Sequence, residues 1–140
     1  MKSVLFICTG NYYRSKFAEI YFNFRANKVS LDWYAFSRGF DISNKENTGP
    51  ISNYSIDKLT DLGIIIPEQI NMPKLLTEKD LLSAGKIIVL NEEEHAPFIK
   101  KYSPFWEHKT IFWNIHDLHE ENSETSLHKL IIEIENIICL

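Results

Sequence analysis

Only two of the 140 residues are cysteine, Cys8 and Cys139. That is too few for a disulfide scaffold, so an apolar core has to hold the chain together, and a reduced protein is the simpler expectation. Glycine and proline supply five residues each, and no repeat, linker or low-complexity block is present. No apolar run is long enough to span a bilayer. The N-terminus lacks a basic stretch followed by an apolar run and a small-residue cleavage site. These absences make a cytoplasmic location the expectation, with no membrane partner. An excess of positive charge is missing too: 15 Lys and Arg face 19 Asp and Glu, a net charge of -4. That argues against a general nucleic-acid binder, which needs a basic face. An anionic substrate remains open, because a local site can be positive on an acidic protein.

What is present is a soluble globular composition, 44% apolar and 24% charged, in a length that suits one domain spanning residues 1–140. Strand and helix patterns alternate. Ser3 to Cys8 is a continuous apolar run, as in a strand buried on both faces. Phe17, Ala18, Ile20, Tyr21 and Phe24 recur at helical spacing between about Arg14 and Ala26. Leu31 to Ser37 is a second strand candidate, and Ser52 to Leu62 a helix that Gly63 stops. Thr77 begins a short helix ended by Gly85, and Lys86 to Leu90 is the third strand. Asn91 reads as an N-cap before Glu92, Glu93 and Glu94, a solvated acidic first turn that complements the helix dipole. Pro97 is expected within that first turn. Thr110 to Ile115 is the fourth strand, and a helix capped by Ser123 closes the pattern with Leu127, Leu130, Ile131, Ile134 and Ile138 on one stripe. The fold class is α/β: three layers, a four-stranded parallel sheet flanked by helices on both faces. In such sheets ligands sit beyond the carboxyl ends of the strands.

The loop after the first strand lies at that edge and carries the chemistry: Cys8-Thr9-Gly10-Asn11-Tyr12-Tyr13-Arg14-Ser15. A loop ending in a helix N-terminus presents backbone N–H groups and the positive end of the dipole, which makes an anion cradle. Gly10 allows a tight turn, and Asn11 tolerates a left-handed conformation and can bond neighbouring backbone. Arg14 offers a planar fork of donors to two phosphate oxygens. The same setting favours a thiolate over a thiol, and Ser15 can donate its hydroxyl to it. Cys8 is thus placed to attack phosphorus, with the cradle and Arg14 stabilising the equatorial oxygens. A departing alcohol needs a proton. Of six aspartates, Asp117 is best placed, just after the fourth strand; His116 and His119 are rival acids.

These residues resemble the low-molecular-weight protein tyrosine phosphatase family. The resemblance rests on Val4 to Ser15, with its Cys-x-x-Asn-x-x-Arg-Ser pattern, and on Ala18-Glu19 at the family's spacing. Weaker similarity covers most of the chain, through Ser37-Arg38-Gly39, Leu62-Gly63-Ile64 and Leu76 to Asp80. It implies a single phosphatase domain, no cofactor and no metal, and a phosphorylated protein or small phosphoester as substrate. It implies Cys8, Arg14 and Asp117 as catalytic residues. Thr9, Gly10, Asn11, Tyr12, Tyr13 and Ser15 would bind substrate, and Ser37 would brace Asn11. The chain also departs from the family. Lys16 replaces the usual proline, and Tyr13 occupies the place of a second, protective cysteine. Asp117 is followed by Leu118-His119-Glu120 rather than by proline and aromatics. Tyr12 is a candidate aromatic wall in their place.

Three other functions would use the same loop. A thioredoxin-coupled arsenate reductase needs further cysteines in mid-chain, and between Cys8 and Cys139 there are none. A phosphate- or phosphopeptide-binding module would keep the cradle and lose turnover. A phosphatase for phosphoarginine or a small phosphoester would differ only in substrate. A site built on His108, His116 and His119 matches no closed metal geometry, so the metal reading is set aside. Cys139 is expected to be structural.

Overall fold

The protein is described by a computed structural model covering residues 2–102 and 104–139. Its elements run β1 (Lys2–Cys8), α1 (Arg14–Lys28), β2 (Trp33–Gly39), α2 (Asn53–Asp61), α3 (Glu78–Ser83), β3 (Lys86–Val89), α4 (Glu92–Ile99), α5 (Pro104–Lys109), β4 (Thr110–Phe112) and α6 (Ser123–Ile138). The strands order as β2-β1-β3-β4, and each neighbouring pair is parallel. Side chains of β1 alternate between two cores. Val4 and Phe6 join Phe17, Leu59, Leu130 and Ile134 on the face covered by α1, α2 and α6. Leu5 and Ile7 join Leu81, Ile99 and Trp106 on the face covered by α3, α4 and α5. Burial on both faces is why β1 is an unbroken apolar run.

Side-chain caps set most helix starts. Ser52 accepts from the Tyr54 N–H at the start of α2, and Thr77 and Asp80 form a reciprocal capping box on α3. Asn91 accepts from the Glu94 N–H at 2.9 Å. The cap of α6 is Asn122, which accepts from the Thr125 N–H at 2.9 Å, and not Ser123, which is the first helical residue. Pro97 lies inside α4 rather than in its first turn. The missing N–H would have bonded the carbonyl of Glu93, an exposed residue that water can serve, and the helix ends two residues later.

Other boundaries differ from expectation for local reasons. β2 starts at Trp33 rather than Leu31, because the Leu31 N–H is spent on the Ala26 carbonyl in closing α1. The β4 ladder stops at Phe112. The chain then stays beside β3 through Trp113 N–H to the Val89 carbonyl and Ile115 N–H to the Leu90 carbonyl, at 2.9 and 2.8 Å. The short α5 has no sequence signal. Cys139 is exposed at the end of α6, not part of the core. Among the described residues no helix is long and apolar enough to cross a membrane.

β1 lies between β2 and β3, so the chain leaves its end toward one side of the sheet and later returns on the other. The loop after β1 sits at this switch. It is flanked by the segment after β2, the N-terminus of α4 and the segment after β4.

The α1–α6 layer predicts a measurable weakness. Leu130 is fully buried in the core between these helices. Leu130→Ala should lower unfolding stability by about 3 kcal/mol, read from urea denaturation, through lost burial and a residual cavity.

Candidate active site

The β1–α1 loop is shaped by its neighbours. Asn11 takes a left-handed conformation, φ 51°, as its amide side chain permits. Phe40 and Asp41 N–H groups bond the carbonyls of Cys8 and Thr9 at 3.0 and 2.9 Å. This close approach requires Gly39, since a Cβ there would lie 2.6 Å from the Thr9 carbonyl oxygen.

Behind the loop a polar chain is fully assigned. Asn11 is buried and spends both amide hydrogens, one on Ser15 Oγ and one on Ser37 Oγ, each at 2.9 Å. Ser37 in turn donates to Glu19 Oε1 at 2.6 Å. Asn11 Oδ1 accepts the Lys74 N–H at 2.9 Å. The Cys8 thiol donates to Ser15 Oγ at 3.0 Å, the same oxygen that accepts from Asn11, so neither bond uses the Ser15 hydroxyl hydrogen. When Cys8 is deprotonated, that hydrogen turns to the thiolate.

Arg14 opens α1 and is 1% exposed. Its Nη1 and Nη2 meet Glu94 Oε1 and Oε2 at 3.0 and 2.8 Å, a bidentate pair across 80 residues. Nη1 also donates to the Ile115 carbonyl at 3.0 Å, and Asp117 Oδ2 lies 3.5 Å from Nη2. Burial opposes the guanidinium charge, but the hydrogen bond to Glu94, the Cys8 sulfur and Asp117 outweigh it, so the pKa is raised. Nε has no partner although it is buried. An unpaired buried N–H costs about 1–3 kcal/mol. The end-on face of the guanidinium is thus taken by Glu94, while Nε on its side-on edge stays unpaired.

Glu94 is itself held on several sides. Thr9 Oγ1 donates to Oε2, and His95 Nε2 lies 2.8 Å from the same oxygen and 2.9 Å from Thr9 Oγ1. His95 Nδ1 accepts the Asn91 N–H at 3.2 Å, which puts the imidazole hydrogen on Nε2. Burial, then the charge of Arg14, lowers the His95 pKa despite Glu94. For Glu94, burial works to raise the pKa, but hydrogen bonds from His95, Arg14 and Thr9 hold it well below the usual carboxylate range. Of the three acids expected to face solvent, Glu94 therefore does not. It is the main partner of Arg14.

The pocket in front of the loop has a volume of about 320 Å³. Cys8, Thr9, Gly10, Tyr12, Tyr13, Arg14 and Asp117 line it, with Asp41, Glu46, Asn47, Leu118 and His119 at its sides. Residues predicted from the sequence thus meet here, with four qualifications. The side chains of Asn11 and Ser15 point behind the loop, so they shape it rather than line the pocket. The Tyr13 hydroxyl turns away to Ser126 Oγ at 2.7 Å, and burial raises its pKa. Tyr12 is a side wall, pinned by its hydroxyl to the Thr48 carbonyl at 2.7 Å. Of the two rival histidines, His119 borders the pocket and His116 does not; His116 Nδ1 lies 3.2 Å from Glu120.

The first helical turn of α1 holds no acidic residue, and no side chain caps its N-terminus. An uncapped helix start, a buried arginine and the Cys8 sulfur meet at one pocket. This arrangement suits a tetrahedral anion with in-line attack from Cys8. Asp117 Oδ1 accepts the Leu118 N–H at 2.8 Å, which fixes the carboxyl at the pocket wall.

A family model described as "Low molecular weight phosphotyrosine protein phosphatase" matches residues 3–136. A comparison with curated proteins gives no match. Among solved structures, the low molecular weight protein tyrosine phosphatase from T. tengcongensis is 24% identical with a TM-score of 0.77, covering 99% of this chain and 95% of that one. YfkJ from Bacillus subtilis is 22% identical with a TM-score of 0.84, covering 99% and 93%. The YwlE arginine phosphatase, solved as a mutant with a phosphorylated active site serine, is 19% identical with a TM-score of 0.75, covering 97% and 90%. At these identities the structures speak for the fold.

The Arg14–Glu94 pair carries its own test. Glu94→Gln keeps the size of the side chain and removes the charge, leaving Arg14 uncompensated; a loss of about 3 kcal/mol in denaturant unfolding is expected. Because the folded-state pKa of Glu94 is depressed, its stabilisation is complete above the unfolded value, about pH 4.3. It is lost as pH falls below that value. Stability measured against pH should fall less steeply on the acid side for Glu94→Gln than for the wild type.

Proposed function

Since the chain belongs to the low molecular weight phosphotyrosine protein phosphatase family, and is on that ground a phosphatase, we propose that it hydrolyses protein phosphotyrosine through a cysteinyl-phosphate on Cys8. The observation that carries this reading is the arginine beside the sulfur. Arg14 lines the pocket together with Cys8, is fixed by Glu94 and keeps an unpaired Nε. A phosphoryl oxygen is the acceptor such an edge is suited to meet.

In the first step the Cys8 thiolate forms a bond to phosphorus and the bond to the phenol oxygen breaks. The departing oxygen takes a proton from Asp117, leaving a carboxylate and the free phenol. In the second step that carboxylate takes a proton from water as the water oxygen attacks the cysteinyl-phosphate. The sulfur leaves as a thiolate and inorganic phosphate is released. Arg14 and the loop N–H groups hold the equatorial oxygens throughout, so charge is stabilised without rearrangement of the site. The Ser15 hydrogen, freed by the Asn11 bonds, stabilises the sulfur when it attacks and when it departs. The Tyr12 ring supplies an apolar wall for the substrate ring.

A second substrate class has a specific observation in its favour. Asp41, Glu46 and Asp117 put carboxylates along the pocket, which suits the guanidinium of phosphoarginine. Turnover of phosphotyrosine, phosphoserine and phosphoarginine peptides in parallel separates the classes; faster kcat/KM on phosphoarginine would replace the phosphotyrosine assignment. Phosphopeptide binding without turnover would favour a binding module instead.

Cys8→Ser should abolish hydrolysis of an aryl phosphate, and unchanged turnover would sink the covalent route. Asp117→Asn should slow substrates with poor leaving groups by about 10²–10⁴-fold and those with good leaving groups far less. Equal slowing of both would move the acid role to another group, with His119 the next to test.

A further inference from the structure

A second recess, with a volume of about 400 Å³, is lined by residues of α1, β2, the 71–74 segment and α3. Lys16 forms part of its wall. This lysine is 2% exposed, which is rare for an ammonium without a carboxylate partner. Among the described residues its Nζ has a single acceptor, the Asn71 carbonyl at 2.6 Å. Three N–H donors thus share one bond.

Two further cations border the same recess. Arg38 is tied through Nε to Asp80 Oδ2 at 3.0 Å and through Nη1 to the Ser37 carbonyl at 2.7 Å. Lys74 is exposed, and its backbone rather than its side chain does the holding, through N–H to Asn11 and C=O to Gly39. The carboxylates facing Lys16 are accounted for. Glu19 accepts from Ser37, and Asp80 serves Arg38 and the Thr77 N–H. Asp80 thus answers Arg38 directly, and Glu19, whose hydrogen bond is made to Ser37, is the carboxylate of the recess left for Lys16 and Lys74. Burial, and after it repulsion from Arg38 and Lys74, lowers the Lys16 pKa, while Glu19 and Cys8 raise it. An anion between the three cations would relieve both the burial cost and the repulsion.

We propose that this recess is a second anion site, in which Lys16, Arg38 and Lys74 hold a small phosphate-bearing dianion. The inference does not depend on the phosphatase reading. The site shares Ser37 with the polar chain behind Cys8, so its occupancy bears on the brace that holds Asn11.

Amide NMR titration of the whole protein with inorganic phosphate tests it. Asp80 and Ser83 border the recess and not the Cys8 pocket, while Thr9 and Gly10 border only the latter. Two saturation midpoints are expected, one for each group of amides. Lys74→Ala should weaken only the Asp80 and Ser83 response, by about three- to ten-fold. Lys16→Met, which keeps the stem, should do the same; if it does not fold, Lys74→Ala stands alone. A hexose monophosphate titrated into Cys8→Ser distinguishes the sources. Tighter saturation of the recess than by phosphate assigns a phosphorylated metabolite, and equal or weaker saturation assigns free phosphate. A single midpoint for all four amides, no saturation at Asp80 and Ser83, or a recess response that survives the substitutions would overturn the proposal. The phosphatase reading fails separately, on turnover by Cys8→Ser.

Discussion

Arg14 carries its charge where almost no water reaches, and that charge must be answered from within the protein. Glu94 answers it with both oxygens. Much of the surrounding architecture follows. The N-terminus of α4 has to lie against the start of α1, which the sheet permits because β3 is the direct neighbour of β1. Asn91 caps α4 through the Glu94 N–H, so the backbone of the carboxylate is fixed as well as its side chain. His95 and Thr9 occupy further lone pairs of Glu94. The pair is therefore satisfied at nearly every polar atom. The exception is Nε of Arg14.

Such a pair has a consequence for the chemistry. Glu94 cancels much of the charge that Arg14 would otherwise present to a dianion. What remains for the ligand is direction: a fixed N–H edge, together with the N–H groups and dipole of α1. A site of this kind gains from having donors already in place rather than from net charge. It also fits an acidic protein, whose long-range field does not attract anions. The carboxylates of Asp41 and Glu46 at the sides of the pocket add to that.

How much of this was legible in the sequence depends on distance along the chain. The strand, loop and helix from Val4 to Ser15 are contiguous, and their spacing alone places Cys8, the arginine and the helix start together. Asp117 was legible through strand order, since the segment after β4 must end at the same edge. Glu94 was not. Three consecutive acids after an Asn cap are fully explained by a helix dipole, and only the parallel pairing of β1 with β3 shows that the third reaches Arg14. His95 was hidden for the same reason. The α6 cap lies one residue before the expected one because Asn122 and Ser123 both have capping side chains. α5 escapes because six residues give too few turns for a periodic signal. Lys16 reads in the sequence only as a missing proline, and nothing in its neighbours indicates that its ammonium is buried.

The loop is thus held from two sides with different chemistry, and the difference matters for how it works. In front, the Arg14–Glu94 pair ties α1 to α4 by charge. Behind, Asn11, Ser15, Ser37 and Glu19 tie the loop to β2 by directional hydrogen bonds, and Lys16 and Asn11 both reach the 71–74 segment. The front restraint sets where the arginine points. The rear restraint sets where the hydroxyl hydrogen of Ser15 points, because Asn11 can only donate from its amide nitrogen. Each removes a freedom, the rotation of the guanidinium in one case and of the hydroxyl in the other. A change at Glu94 or at Ser37 should therefore act through the placement of Arg14 or Ser15 rather than through a lost contact to substrate.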